Sequence, residues 1–279
     1  MNYILFNQKS HNGEQEANMK TLESKLENFE KVNVIGLNYD EFLPKLTKDD
    51  KVILFGGDGT LNHFVNDVLG KELPCEFYFY TAGTGNDFRN DLESMVEDDM
   101  IYLNDIIKDL PTVTVNGKDY KFINGVGFGI DGYCCEVADD LQAKSDKPVN
   151  YTSIAIKGVL FKFKKRNCKV TVDGVTKEYK NAWIAPTMLG VYYGGGMKVA
   201  PEQNRFNKER TLTNVVMYHR SRIKTLMVFA SIFKGEHVKH TEMVDIRVGH
   251  EITVEFSIPT PLQIDGETIR NVTKYTVRY

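Results

Sequence analysis

Short apolar runs alternate with stretches of helical spacing over the first hundred residues. Four runs have the length and composition of strands: YILF at 3–6, VNVIGL at 32–37, KVILF at 51–55 and EFYFY at 76–80. A helix is predicted over 14–29, where apolar residues recur at helical spacing: Met19, Leu22, Leu26 and Phe29. A second helix is predicted in LNHFVNDVLG at 61–70. Strands that alternate with helices predict βαβ units, and hence a doubly wound α/β domain with a parallel sheet.

After about Pro111 the pattern changes to many short β-rich runs separated by turn residues. TVTVNGKDYKFING at 112–125 and KVTVDGVTKEY at 169–179 predict hairpins around Asn-Gly and Asp-Gly turns. RIKTLMVFASIFKG at 222–235 predicts a helix, whereas YTSIAIKGVLFKF at 151–163 is ambiguous. The strands predict an antiparallel, sandwich-like domain. We therefore expect an α/β domain over 1–110 and a β-rich domain over 111–279.

Composition narrows the class of protein. Hydrophobic residues make up 42% of the 279 residues, enough for a sizeable core, and the net charge of −3 argues against nucleic acid as a partner. The four cysteines form no C-x-x-C pair, which favours reduced thiols over zinc or disulfides. No signal peptide and no apolar run long enough to span a bilayer is recognised. We expect a cytoplasmic protein, with a peripheral place at the inner membrane face left open.

A glycine turn follows the third predicted strand, in the sequence GGDGTLN. Gly56, Gly57 and Gly59 leave the backbone accessible, and the following helix N-terminus favours an anion such as phosphate. Thr60 is expected to cap the helix or donate to an oxygen. Asp58 would repel a phosphate unless a cation lay between them, which suggests Mg²⁺. The alternative is an ordinary strand–helix turn in which Asp58 and Thr60 are caps.

A second polar turn, AGTGNDF at 82–88, follows the next strand. Loops at the carboxyl ends of strands share one crevice in an open parallel sheet, so we expect Asp58 and Asp87 to face one ligand. GFGIDG at 127–132 also fits G-x-G-x-x-G, but no acidic residue ends a following strand. We therefore interpret it as a turn-rich stretch rather than a dinucleotide site.

The two turns together resemble the diacylglycerol kinase catalytic family, which includes bacterial lipid kinases and sphingosine and ceramide kinases. The NAD kinases, which share the GGDGT turn, are more distantly similar. Three further stretches resemble family motifs: FINGVGFGID, GGGMKVAP and IDGE. FNQKSHNG stands where the family usually has N-P-x-S-G. The likeness covers most of the chain in a consistent order.

The resemblance implies that ATP and Mg²⁺ bind in a cleft between the two domains, where a lipid hydroxyl attacks the γ-phosphate. It implies that Glu267 is the general base, and that Asp58 and Asp87 hold the metal. The nucleotide-binding residues that it implies are Asn7, Gly56, Gly57, Asp58, Gly59, Thr60, Asn62, Gly83, Thr84, Gly85 and Asn86. Asp265, two positions before Glu267, is interpreted from the sequence alone as a turn former.

The chain also departs from the family pattern. Relatives commonly carry D-D-G-x-L-D, associated with a structural metal, after G-G-G-x-x-x-A-P, whereas this chain has EQNRFNKERTLTN at 202–214. We expect that auxiliary metal site to be absent. Three functions stay open: a kinase of a diacylglycerol-like lipid, a kinase of a soluble hydroxyl acceptor, and a nucleotide-binding regulatory protein. Homo-oligomerisation is open as well, and KGVLFKFKKR at 157–166 fits either an anionic membrane or a core-packed helix with a basic face.

Overall fold

The computed structural model describes residues 1–8, 13–82, 86–144, 154–155 and 157–279. Within it the chain divides into two compact units, Met1–Leu110 and Pro111–Tyr279. Gly83, Thr84 and Gly85 of the second glycine turn lie outside the described residues, as do residues 145–153 and 156.

The first unit is a five-stranded sheet with helices, in the order β2-β1-β3-β4-β5. The strands are β1 (Asn2–Phe6), β2 (Phe29–Asn33), β3 (Lys51–Gly56), β4 (Glu76–Thr81) and β5 (Met100–Tyr102). All neighbours are parallel except β4 and β5. The helices are α1 (Gly13–Ser24), α2 (Tyr39–Phe42), α3 (Asp58–Asp67), α4 (Asp87–Asp91) and α5 (Asn104–Lys108). The α/β class is confirmed.

Two boundaries near the N-terminus were predicted wrongly. The helix expected to reach Phe29 ends at Ser24. Asn28, at a positive φ of 51°, prevents a helical path from continuing to Phe29. Phe29 instead begins β2 and pairs with Asn2. The strand expected over 32–37 consequently ends at Asn33, ahead of a turn that contains Gly36 at φ 75°.

The second unit is an antiparallel nine-stranded sheet with a separate two-stranded ribbon. The main path is β14-β13-β10-β8-β15-β16-β6-β7, with β9 paired to β10 and β15. The strands are β6 (Thr112–Val115), β7 (Lys118–Lys121), β8 (Gly125–Gly129), β9 (Arg166–Val172), β10 (Val175–Met188), β11 (Tyr192–Tyr193), β12 (Met197–Lys198), β13 (Leu212–Tyr218), β14 (Val244–Gly249), β15 (Glu251–Ile264) and β16 (Glu267–Arg278). The predicted antiparallel β domain is confirmed.

Two long strands, β10 and β15, each pair with both β9 and β8 within the nine-stranded sheet. Each pairs with β9 along its first half and with β8 near its end, and each carries a register shift between the two regions. The predicted hairpins are present, with positive φ at Asn116-Gly117 and at Asp173-Gly174, as the tight turns of hairpins require.

The GFGIDG stretch is a strand that runs directly into a helix, so its interpretation as turn-rich was wrong. β8 ends at Gly129, and helix α6 spans Ile130–Gln142. A Cβ at Gly129 would lie 2.2 Å from the carbonyl oxygen of Trp183, and one at Gly132 would lie 2.2 Å from that of Pro261. These glycines therefore let backbone pack against backbone and leave no space there for a dinucleotide.

Two helical segments complete the second unit. Helix α7 (Arg222–Ala230) continues into a 3₁₀ turn, Ser231–Lys234, and a π-helical turn covers Gly158–Lys162. A further 3₁₀ turn spans Glu236–Lys239. Among the described residues, no helix combines the length and the apolar character that crossing a bilayer requires.

Candidate active site

The carboxyl ends of three parallel strands lie side by side in the first unit. Phe6 of β1 is in register with Phe55 of β3, and Gly56 of β3 is in register with Thr81 of β4. Asn7, which follows β1, therefore leaves the sheet beside the glycine turn. Gly57 occupies the N-cap position of α3. Because glycine has no side chain, it cannot cap the first-turn amides of that helix. Such a helix start suits an anion.

The residues of the first glycine turn have different placements. A Cβ at Gly56 would lie 2.6 Å from Oγ1 of Thr60, so glycine at this position makes room for the threonine side chain. Asn62 is buried inside α3, where its Oδ1 accepts a hydrogen bond from Nδ2 of Asn66 at 3.4 Å. Gly59 lies in the first turn of α3. The turn thus presents its backbone amides and the Asp58 side chain to a ligand, whereas Asn62 is buried within the helix.

Asp58 joins the two loops that the sequence singled out. Its Oδ2 accepts hydrogen bonds from the backbone N–H of Asp87 at 2.9 Å and from that of Phe88 at 3.3 Å. The Asp58 carboxylate therefore caps α4, and Asp87 is itself buried at the start of that helix. Asp58 and Asp87 therefore lie next to each other, and one oxygen of Asp58 has a structural role that the sequence did not indicate.

The donors at this edge fit a hard cation beside a phosphate. Within the described part of the chain, the buried Oδ1 of Asn86 and Oγ1 of Thr81 have no hydrogen-bond partner. The carboxylates of Asp58 and Asp87 belong to the two loops at the same strand ends, and oxygen atoms are the ligands that Mg²⁺ prefers. No group of three or more His, Cys, Asp or Glu residues able to hold a metal occurs among the described residues. Magnesium usually takes only one or two carboxylates, and phosphate and water oxygens complete its shell.

The Asp-Gly-Glu sequence of the second unit forms the tight turn between β15 and β16. Asp265 and Gly266 have φ values of 48° and 95°, and Ile264 pairs with Glu267 across the turn. Glu267 is exposed at the first position of β16. Its carboxylate is accessible to a substrate, as a proton acceptor must be.

Asp265 is more than a turn former. Its carboxylate accepts hydrogen bonds from the backbone amides of Ile123, Asn124 and Gly125 at 2.6, 2.8 and 2.9 Å. In return, the Asp265 amide donates to the Gly125 carbonyl oxygen at 3.0 Å. The turn that carries Glu267 is therefore held against the entry to β8.

A buried arginine holds the same segment from its carbonyl side. The Arg205 guanidinium donates to the Ile123 carbonyl oxygen at 3.0 Å and to Oδ1 of Asn124 at 3.3 Å. The loop that follows is closed by Asn207, whose amide bonds both the N–H and the carbonyl oxygen of Thr211. This is the segment where the family resemblance implies an auxiliary metal. A buried cation and amide donors organise it here, so its residues do not fit a metal ion.

A further buried acid, Asp131, was not predicted as a candidate site residue from the sequence. Asp131, in the first turn of α6, is 7% exposed and lies beside Tyr193 and Gln263. Burial raises the pKa of the Asp131 carboxyl to about 6, against the opposing influence of nearby backbone amides and of those two side chains. Its only signal was the aspartate within GFGIDG, and the pattern does not report burial.

Family models match both units. The diacylglycerol kinase catalytic domain matches residues 2–114, and the YegS C-terminal NAD kinase beta sandwich-like domain matches residues 124–277, more than half of the chain. These matches lie on the glycine turns of the first unit and on the Asp-Gly-Glu turn of the second.

Individual relatives agree with the models. YtlR of Bacillus subtilis, provisionally named a lipid kinase, is 26% identical over 236 residues, which cover 78% of this chain and 74% of that protein. A diacylglycerol kinase of Staphylococcus carnosus is 24% identical over 220 residues, covering 78% and 70%. A solved structure from Bacillus anthracis has the same fold, with a TM-score of 0.69 at 20% identity and coverage of 99% and 93%. The chain belongs to the diacylglycerol kinase catalytic-domain family.

Proposed function

We propose that this protein is an ATP-dependent lipid kinase that phosphorylates the hydroxyl of a diacylglycerol-like lipid. The tether from Asp58 to the start of α4 carries the proposal for the nucleotide side. This tether holds the Asp58 carboxylate at the N-terminus of α3, where the N-cap residue, Gly57, has no side chain to cap the amides. Amides at a helix N-terminus suit a phosphate, and the carboxylate suits a cation bound beside that phosphate. Gly56, Gly57, Gly59 and Thr60 would supply the surrounding backbone and hydroxyl.

The chain's own residues divide the work by position. The α3 amides orient the phosphates, and we assign Asp58 and Asp87 to hold Mg²⁺, with Asn86 beside them. Mg²⁺, when bound, neutralises phosphate oxygens as the γ-phosphoryl group is transferred. Asn7 and the residues of the second glycine turn, Gly83, Thr84 and Gly85, are proposed contacts that rest on the family resemblance.

Glu267 is the proposed general base. Its carboxylate accepts the proton of the lipid hydroxyl as the hydroxyl oxygen forms a bond to the γ-phosphorus. The bond between that phosphorus and the β–γ bridging oxygen breaks, and ADP leaves. Positioning and charge neutralisation dominate phosphoryl transfer, so a base held by a rigid turn fits this chemistry. Asp265, through three backbone amides, makes the turn rigid.

Incubation with ATP labelled at the γ-phosphate tests the proposal. We expect label in diacylglycerol from a panel that also holds ceramide, sphingosine, glycerol and a soluble alcohol. Transfer confined to soluble acceptors would overturn the lipid assignment in favour of a soluble-acceptor kinase. Tight Mg²⁺–ATP binding with no acceptor labelled would overturn the enzyme assignment in favour of a regulatory nucleotide-binding protein.

A further inference from the structure

Helix α7 is apolar on two opposite faces. Its inner face packs into the core of the second unit through Val228 and Phe229, and Thr225 is buried on the same face. Ile232, in the 3₁₀ turn that follows, joins the same core. Its outer face presents Ile223 and Met227, one turn apart, at 69% and 63% exposure. A helix that only covers a core has a polar outer face, so the second apolar face needs a different explanation.

A neighbouring segment extends this outer face. The π-helical turn Gly158–Lys162 lies beside α7, and Phe161 within it is 75% exposed. Arg222 of α7 donates to the carbonyl oxygen of Phe163 at 3.0 Å, which fixes the two segments to each other. Phe233, in the 3₁₀ turn after α7, is also exposed. We call the surface formed by Phe161, Ile223 and Met227 the apolar outer face.

Positive charge is concentrated on the same two segments. Residues 157–166 contain five basic residues and residues 220–234 contain four, and neither stretch contains an acidic residue, although the whole chain carries −3. Five of these basic side chains are exposed and form no ion pair with a carboxylate of the described residues: Lys162, Lys164, Arg220, Lys224 and Lys234. Burial and the nearby Arg222 and Arg220 lower the pKa of Lys165, as expected where like charges accumulate.

We propose that the apolar outer face and its basic rim dock this protein on an anionic lipid bilayer. Aromatic and aliphatic side chains would enter the boundary between headgroups and acyl chains, while lysine and arginine contact anionic headgroups. A second copy of the chain fits this surface poorly, because symmetric pairing through it would bring two basic rims together. The proposal deepens the proposed function and rests on it for its purpose, since a lipid kinase needs access to a membrane-embedded hydroxyl.

Vesicle co-sedimentation measures the binding without turnover. The native protein should bind vesicles of phosphatidylcholine mixed with phosphatidylglycerol, less at raised salt, and should bind pure phosphatidylcholine weakly. The double variant Ile223→Ser/Met227→Ser should lower the partition coefficient at least tenfold with its melting temperature unchanged. Lys162→Glu/Lys224→Glu should lower it by at least about fivefold per removed charge.

Matched controls use exposed residues away from this surface. Val175→Ser/Val248→Ser removes two exposed aliphatic side chains, and Lys118→Glu/Lys274→Glu reverses two exposed charges. Both controls should bind anionic vesicles as the native protein does. Equal loss in the controls, or unchanged binding by Ile223→Ser/Met227→Ser, would overturn the proposal. A different result would also overturn it: the native protein does not bind vesicles, and light scattering shows that it is a dimer that Ile223→Ser/Met227→Ser dissociates.

A water-dispersed short-chain diacylglycerol separates this proposal from the proposed function. If both hold, Ile223→Ser/Met227→Ser phosphorylates the short-chain lipid at the native rate and loses activity on lipid in vesicles. Vesicle binding that depends on the apolar outer face, with no lipid phosphorylated, would support docking and refute the kinase assignment. Native-rate phosphorylation of vesicle lipid by the variant would support the kinase and refute docking.

Discussion

Asp265 and Asn124 lie 141 positions apart in the chain, and a hydrogen bond of 2.8 Å joins the Asn124 amide to the Asp265 carboxylate. The amides of Ile123 and Gly125 complete the set of donors, so one side chain satisfies three consecutive N–H groups. An Asp-Gly turn needs an aspartate only for its backbone shape. The contacts made by this aspartate give it a second role, which is to fix where the following glutamate begins its strand.

Asp265→Ala should therefore destabilise the second unit. Part-buried amides that lose their acceptor cost about 1–3 kcal/mol each, so we expect a loss of roughly 3 kcal/mol or more in the free energy of unfolding. Asp173→Ala is the matched control, because Asp173 occupies an equivalent hairpin turn and accepts amides of His250 and Glu251 at an exposed site. Denaturant titration should show the smaller loss for Asp173, and equal losses would contradict a special role for Asp265.

Glu267→Gln should leave the fold intact and remove proton acceptance. A positioned general base contributes about 10²–10⁴-fold, so single-turnover transfer should fall by that factor. Melting temperature and nucleotide affinity should stay at native values, as they should for the control Glu255→Gln on the exposed face of β15. Near-native transfer by Glu267→Gln would eliminate Glu267 as the base.

Two substitutions of Asp58 separate its capping role from its charge. Asp58→Asn keeps an oxygen that can accept from the amides of Asp87 and Phe88, whereas Asp58→Ala removes it. We expect both to weaken Mg²⁺–ATP binding at least tenfold by calorimetry, and only Asp58→Ala to lower the melting temperature. Asp67→Asn, at the other end of α3, is the control. Native affinity in Asp58→Asn would show that the carboxylate holds no cation.

Asp131 should make stability fall as pH rises. Burial raises its folded pKa to about 6, above the unfolded value of about 3.9, so the folded state binds the extra proton. The contribution of Asp131 to the free energy of unfolding is fully present below about pH 4 and is lost as pH rises to about 6. The loss is on the order of 2–3 kcal/mol. Asp131→Asn should raise the melting temperature at pH 7 and change it little at pH 4. The exposed Asp139→Asn on the same helix should show no such pH dependence.

Chelation should leave the loop after Gln203 unaffected, because the buried Arg205 guanidinium and the Asn207 amide hold it through hydrogen bonds. Melting temperature of the ligand-free protein should be equal with and without EDTA. Arg205→Met should cost about 3 kcal/mol, since Ile123 and Asn124 lose a buried charged donor. The exposed Arg220→Met is the control. A drop in melting temperature with EDTA, restored by Mg²⁺, would show that a metal does stabilise the protein.

Sequence patterns predicted the classes of both units because each pattern has a local physical cause. Period and length identify β3 and β4, and Asn-Gly and Asp-Gly turns dictate the two hairpins by their positive φ. The end of α1 was missed because Leu26 and Phe29 continue the helical spacing. The pairing of Phe29 with Asn2 overrides that spacing, and pairing is not visible in a local pattern.

The residues of the candidate site were singled out by their chemistry, but their contacts were not predicted. Asp58 was singled out as a carboxylate in a glycine turn, whereas its bonds to the start of α4 depend on strand register. Arg205 lies in a stretch that was notable only for missing acids, and its burial comes from long-range packing. The apolar spacing of 222–235 predicted a helix correctly without indicating that both sides of it are apolar.

The pairing of β6 with β16 has a consequence for synthesis on the ribosome. Val113 and Val115 of β6 hydrogen-bond in register with Val277 and Tyr275, so the strand that begins the second unit needs the last residues of β16. At synthesis rates of about 5–20 residues per second, β6 waits roughly 10–30 s for its partner. The first unit, whose strands all lie before residue 103, has its full sequence well before then. A nascent chain should therefore carry a folded first unit and a β6–β7 hairpin whose β6 edge lacks its partner strand β16. We expect such an exposed strand edge to be bound by a ribosome-associated chaperone.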